Sequence, residues 1–424
     1  MRLLVEDTKL KADAPLTAAS GMFDPFAPDY VADPYAVLRG LRESEPIFYS
    51  TQLQGWIVTR HESIRSVMRD ANRFSSTITS DPLKPMCPMA RKVLHDASFN
   101  VPSLLVNNDP PDHTRVKSFM AAPFQLTRLK SLEPFLRETV TAYVDQILAG
   151  EQPVDLVKAL TWDVPALVLF KLMGVPAEDV NLVKGWAESR ILLTSGRPTD
   201  EEQVRLAKSA ADFYTYSVGL IAKKVKSPAD DYTSDLIRLR NGDDANGASL
   251  HEIAVHMFNL LFAGHETTSS GAANMFLSLL THRDQWEKVC RGEVKFSEVV
   301  EESLRFEPPI QARRRLVRED VEIEGHHIPA GSKLFLMVAS GNRDPERFEN
   351  PEDFCPGRSG VTQHLTFGSG IHMCMGAPLA RQELMVMLEE VSCRMPGLRM
   401  VEGQELEFVP NTSFRGVRKL LVRW

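Results

Sequence analysis

The chain has 424 residues, 43% hydrophobic and 25% charged, a globular composition that excludes a disordered or fibrous protein. A formal net charge of -7 argues against nonspecific nucleic-acid binding. Its five cysteines, Cys87, Cys290, Cys355, Cys374 and Cys393, are odd in number and scattered without a C-x-x-C pair, which argues against a zinc site or a redox disulfide.

The stretch from Met1 to Leu10 carries Arg2, Glu6, Asp7 and Lys9, so neither a signal peptide nor a membrane anchor is expected there, and the expected location is cytoplasmic. Strand-like segments follow at 47–49 and 56–59, then a Pro- and Met-rich loop over 76–106. Helical spacing of apolar residues marks 116–124 and 132–148. After a polar loop over 241–248, Ser249 and Glu252 form an S-x-x-E capping box that starts a helix reaching about Leu280. At 1.5 Å per residue this helix is roughly 45 Å long, enough to run through the centre of a domain. Its apolar run 257–264 is stopped by His265 and Glu266, far short of the roughly 20 apolar residues a spanning helix needs. Further strand segments are expected at 321–323, 334–338 and 420–422, and a helix at 379–391. With no Pro/Gly/Ser-rich linker, the expected architecture is one domain over 1–424, mainly α with small β-sheets, built round the long helix.

Near the C-terminal end, Phe367-Gly368-Ser369-Gly370-Ile371-His372-Met373-Cys374-Met375-Gly376 leads directly into a helical pattern. Glycines allow tight turns and close backbone approach, and a helix N-terminus stabilises a thiolate, so this setting suits a metal ligand. Taken alone it also suits a small buried cysteine beside a turn. The run resembles the haem-binding signature F-x-x-G-x-H-x-C-x-G of the cytochrome P-450 family at Phe367, Gly370, His372, Cys374 and Gly376. The resemblance implies that Cys374 is the proximal iron ligand of haem b (heme b, iron protoporphyrin IX), that Phe367 packs by its sulfur with Gly368 and Gly376 beside it, and that His372 reaches a haem propionate.

Other motifs carry the same resemblance. Glu302 and Arg305 share a helix face and match the family's E-x-x-R, which is joined by a second arginine. Arg347 and Arg358 both compete for that role, and Arg358 is chosen because it lies closer to the cysteine loop. Asp109-Pro110-Pro111-Asp112-His113-Thr114-Arg115-Val116-Lys117 resembles D-P-P-E-H-T-R-x-R, which makes His113 and Lys117 propionate partners by resemblance, with lysine standing where arginine is usual. Arg315, five before Asp320, matches the family's propionate arginine after Pro308-Pro309.

On the long helix, Ala263-Gly264-His265-Glu266-Thr267-Thr268 resembles the family's oxygen-binding run, where the threonine hydroxyl bonds the carbonyl four residues back and opens the helix. Glu266 and Thr267 are then the acid and alcohol that relay protons. His265-Glu266-Thr267-Thr268-Ser269 lacks the second histidine of a zinc H-E-x-x-H motif, and Met373 occupies the third glycine position of a dinucleotide fingerprint begun at Gly368-Ser369-Gly370.

The resemblance implies a haem-thiolate monooxygenase that inserts one atom of O2 into a small, largely apolar organic substrate, by hydroxylation or oxidative dealkylation. Electrons would come from a ferredoxin or flavodoxin with its reductase, since no flavin or iron-sulfur motif is present. Competing readings are a peroxide-driven peroxygenase of the same fold, a non-catalytic haem sensor and a haem-free scaffold. Pocket residues placed by resemblance are Asn259, Phe262, Ile310, Gln311, Ser413 and Phe414, with Ala263 and Gly264 at the haem.

Overall fold

A computed structural model describes residues 15–187, 189–242 and 247–424. The expectation for Met1 to Leu10 lies outside the described residues, as does part of the polar loop before the long helix.

That helix spans Leu250–Thr281, 32 residues. Its start is fixed as the sequence dictates: Ser249 Oγ accepts from Glu252 N at 3.1 Å, and Glu252 Oε2 accepts from Ser249 N at 2.7 Å. Ile253, Val255, Met257, Phe258 and Leu261 in its first half and Ala272, Met275, Phe276 and Leu279 in its second are all buried, so it is apolar on most sides and occupies the core. Helices Asp163–Met173, Asp200–Lys226, Phe296–Phe306 and Ala377–Arg394 pack around it. Among the described residues no helix is long and apolar enough to cross a membrane.

The largest sheet has five strands in the order Ile47–Ser50, Gly55–Val58, Lys333–Leu336, Arg313–Val317, Phe74–Ser75. Gly55–Val58 runs parallel to Lys333–Leu336, and the other neighbours are antiparallel. Smaller sheets join Val154–Asp155, Leu421–Arg423 and Arg399–Met400, and pair Val321–Ile323 with His326–Ile328. The architecture is therefore mainly helical with small sheets.

Two departures from the sequence expectation bear on the site and its surroundings. The segment read as a loop over 76–106 contains the helix Pro88–Asp96, with proline at its first position and the Cys87 thiol accepting from Ala90 N. Arg313–Val317 forms an interior strand although three of its residues are arginine. Register places Arg313 opposite Leu336 and Arg315 opposite Leu334. Alternation then sends Arg313 and Arg315 to one face and Arg314 to the other, where it binds the carbonyls of Asp81 at 2.7 Å and Thr79 at 2.8 Å.

Candidate haem-thiolate site

The cysteine loop is shaped by its backbone. Cys374 N donates to Phe367 O at 2.9 Å, Gly368 N to Leu365 O at 2.8 Å and Met373 N to Gly370 O at 3.1 Å. Gly370 has a φ of 73°, and a Cβ there would lie 2.8 Å from Met68 O and 2.9 Å from the Arg69 Cα, so both conformation and space demand glycine. A Cβ at Gly376 would touch the Cys374 sulfur at 3.8 Å, which puts Gly376 beside it. Helix Ala377–Arg394 begins three residues after the cysteine with proline in its first turn, so unsatisfied amides and the positive helix end lie by the thiol. Cys374 itself is exposed.

Phe367 is held from the far side. The Arg381 guanidinium lies 4.4 Å above its ring and pairs with Glu301, whose other contact is His364 Nε2 at 3.1 Å. Burial raises the Glu301 pKa, yet the hydrogen bonds and charges of His364 and Arg381 outweigh it and bring it to about 2.

Donor side chains converge on the same loop. The rings of His113 and His372 are 4.3 Å apart. His113 Nδ1, His372 Nε2 and Arg313 Nε are buried without a hydrogen-bond partner, although Arg313 also donates to Thr366 O at 3.2 Å. Burial, then the nearby Arg315 and His113, push the His372 pKa down to about 3. Burial, then Arg313, lower Arg315 to about 10. Orphaned buried donors normally find a partner, and a set of imidazole and guanidinium groups suits carboxylates. A thiol at a helix start beside such donors fits haem b: Cys374 would hold the iron, and His113, His372, Arg313 and Arg315 would hold the propionates. Arg313 was missed in the sequence, where period-two alternation from Arg315 was the available signal. Lys117 reaches the same loop, where its Nζ donates to the carbonyls of Ile371 and, at 3.4 Å, Met373.

On the long helix Ala263 is exposed although Leu261, His265 and Glu266 are buried. Thr267 Oγ1 donates to Ala263 O at 2.7 Å and Thr268 Oγ1 to Gly264 O at 3.1 Å. These bonds tie up two successive carbonyls, as the motif predicts. Gly264 permits close packing, since a Cβ there would lie 2.9 Å from Leu169 Cδ2. His265 is a wall residue: Nε2 meets Trp162 O at 2.8 Å, and burial lowers its pKa to about 4. Glu266 faces a cavity of about 280 Å³ that it shares with Lys158, Trp162, Ser269, Ser270 and Phe414.

Of the expected pocket residues, Phe262 and Phe414 meet at 6.2 Å between ring centres, and Ile310 bridges Phe414 through the backbone. Ser413 O accepts from Gln311 N at 2.7 Å. The Gln311 side chain turns to Pro308 O at 2.8 Å and Tyr35 Oη at 3.4 Å, anchoring the backbone by the Pro-Pro turn. Asn259 is half-buried one helical turn before Ala263.

Glu302 and Arg305 are fully buried and bidentate, with Nε–Oε2 and Nη2–Oε1 both at 2.8 Å. Arg358 Nε joins Glu302 at 3.2 Å, while Arg347 is exposed. Arg305 also donates to the carbonyls of Asn342, Pro351 and Asp353, and Cys355 N donates to Glu302, so the pair stitches the chain leading to the cysteine loop onto helix Phe296–Phe306.

An accessible cysteine in a glycine-shaped loop before a helix start, backed by a buried arginine-carboxylate network and served by a long helix with an acid-alcohol pair, defines a haem-thiolate oxidoreductase. The family model described as cytochrome P-450 matches residues 186–295 and 296–391. The cytochrome P-450 monooxygenase PikC of Streptomyces venezuelae is 33% identical over 402 residues, covering 93% of this chain and 92% of its own. The vitamin D(3) 25-hydroxylase of Pseudonocardia autotrophica is 31% identical, covering 96% and 97%. Among solved structures, cytochrome P-450 CREJ in complex with (4-ethylphenyl) dihydrogen phosphate superposes with a TM-score of 0.91 at 33% identity, over 95% of this chain and 99% of that one. An intact type IV self-sufficient cytochrome P-450 monooxygenase gives 0.92 at 36% identity, over 97% of this chain and 54% of its own. The chain belongs to the cytochrome P-450 family, is a monooxygenase, and takes haem b as its cofactor.

Proposed function

We propose that the protein inserts one atom of O2 into a small, largely apolar organic substrate, by hydroxylation or oxidative dealkylation, with electrons from a ferredoxin or flavodoxin and its reductase. It works in the cytoplasm as one domain. When bound, the haem supplies oxygen activation, and a cysteinate ligand favours cleavage of the O–O bond. Cys374 supplies that ligand, and His113, His372, Arg313 and Arg315 hold the propionates. Phe262, Ile310 and Phe414, with Asn259 and Ser413, form the substrate side, apolar with few polar groups.

The observation that carries the reading is the Thr267 hydroxyl bound to Ala263 O at 2.7 Å beside a buried Glu266. Spending its hydrogen on a carbonyl leaves the Thr267 oxygen able to accept from a water, and Glu266 beside its cavity can feed protons toward that water. A peroxygenase has no need of this pair. The test is turnover with reduced nicotinamide, a ferredoxin and its reductase under isotopically labelled dioxygen. One labelled oxygen atom in a hydroxylated product, or in the carbonyl fragment of a dealkylation trapped as it forms, is the expected result; label in neither, or product formed only when peroxide is supplied, overturns the proposal.

A further inference from the structure

The donor side chains around the cysteine loop divide into two groups. His113 Nδ1, His372 Nε2 and Arg313 Nε are buried and have no hydrogen-bond partner, which leaves them for an anionic ligand. Lys117 instead spends its hydrogens on the loop, on Ile371 O and Met373 O. Helix Asp112–Ala121 delivers it there: Lys117 follows His113 by one turn on the same face, and the His113 ring rests 4.3 Å from that of His372. The two carbonyls flank His372, and the second belongs to the residue just before Cys374.

Side-chain chemistry agrees with this division. An ammonium has three donors and no preferred plane, so it can bind two carbonyls from different residues of a turn. A guanidinium fork matches the two oxygens of one carboxylate better, and Arg313 and Arg315 stand on the strand that faces the loop. Uncompensated carbonyl oxygens close to a thiolate would disfavour its negative charge, and a bound ammonium offsets them.

We propose that Lys117 is a positioning residue for the cysteine ligand: it clasps the Ile371 and Met373 carbonyls and fixes the turn that presents Cys374. The inference rests on the assignment of Cys374 as the haem ligand. It gives lysine, at a position where the family's segment has arginine, a task of its own.

The test uses holoenzyme carrying Lys117→Met, with Lys117→Gln as a second variant that retains a neutral donor. Each is prepared with ordinary haem and with haem dimethyl ester, whose propionates are blocked. Two quantities are read: the rate at which the thiolate-type Soret band of the reduced carbon-monoxide adduct decays to its blue-shifted form, and hydrogen exchange over 368–376. Lys117→Met is expected to accelerate both by roughly tenfold, the scale of one hydrogen bond to a charged group, and Lys117→Gln by less. The same factors are expected with the dimethyl ester. An effect that vanishes with the ester, or that weakens haem retention without changing exchange in the loop, overturns the proposal in favour of a propionate contact. Unchanged decay and exchange in both variants overturn it as well. Failure of the ligand assignment would look different, because Cys374→Ser would then keep the thiolate-type band.

Discussion

Glu266 and Thr267 are adjacent in the chain but face different surroundings. Thr267 binds the carbonyl one turn back, while Glu266 is buried in the wall of a cavity bordered by Lys158 and Ser269. Replacing Thr267 by alanine removes the hydroxyl but leaves haem, substrate and oxygen binding in place. Product per reduced nicotinamide is expected to fall several-fold while peroxide rises, measured on a substrate that has no hydroxyl of its own to substitute. Wild-type coupling in that variant would remove Thr267 from the relay. Glu266→Gln is expected to slow turnover by roughly a hundredfold, the lower end of what general acid-base groups contribute, without raising peroxide to the same degree. Most of these residues were readable because each sits in a spaced motif. Arg313 was not, since its place beside the cysteine loop comes from strand alternation with Arg315, and a run of three arginines hides the strand that would have revealed it. Nor was the turn of Lys117 toward the loop, which depends on where the helix docks.

Secondary-structure elements were legible where a local signal fixes them. The capping box at Ser249 gives the start of the long helix, and its end falls at Thr281, one residue beyond the expected Leu280. Helix Pro88–Asp96 was hidden because its flanking prolines and methionines read as loop, and its stability comes from packing Met86, Ala90 and Leu94 against Leu206, Ala207 and Ala210. The choice of Arg358 over Arg347 followed from chain position, and the geometry agrees: Arg358 reaches Glu302 while Arg347 is exposed. Because Glu302 and Arg305 have no exposed surface, losing one strands the other at a cost of about 3–5 kcal/mol. Glu302→Ala is accordingly expected to lower soluble yield and haem content together. A stable, haem-replete variant with a modest rate defect would show that the network does not hold the cysteine loop.

At the scale of the whole molecule, His256 and His265 are among the buried imidazoles that folding keeps neutral. His256 meets Tyr232 Oη at 2.8 Å and His265 meets Trp162 O, and burial lowers both from 6.5 to about 4. Between those values the unfolded chain binds more protons than the folded one, so stability rises with pH. Their contribution is complete above about pH 6.5 and is lost as pH falls toward 4, at roughly 3 kcal/mol for each histidine. Urea unfolding is expected to show a midpoint that drops steeply from pH 7 to pH 4.5, and a His256→Gln, His265→Gln double variant is expected to flatten that slope. An equal slope in both proteins would contradict the burial argument. The general architecture was visible in helical periodicity and in strands at the ends of the chain. The pairing of Gly55–Val58 with Lys333–Leu336 was not, because it joins segments far apart in sequence with no local signature.

The central claim is that Cys374, delivered to the start of helix Ala377–Arg394, is the haem ligand. The most direct measurement is the absorption spectrum of the reduced carbon-monoxide adduct in wild type and Cys374→Ser, with Cys87, Cys290, Cys355 and Cys393 each replaced in parallel. The red-shifted Soret band of a thiolate-ligated haem is expected in the wild type and in the four control variants, and its loss is expected in Cys374→Ser alone. Retention of that band in Cys374→Ser, or its loss in one of the controls with haem still bound, would contradict the account.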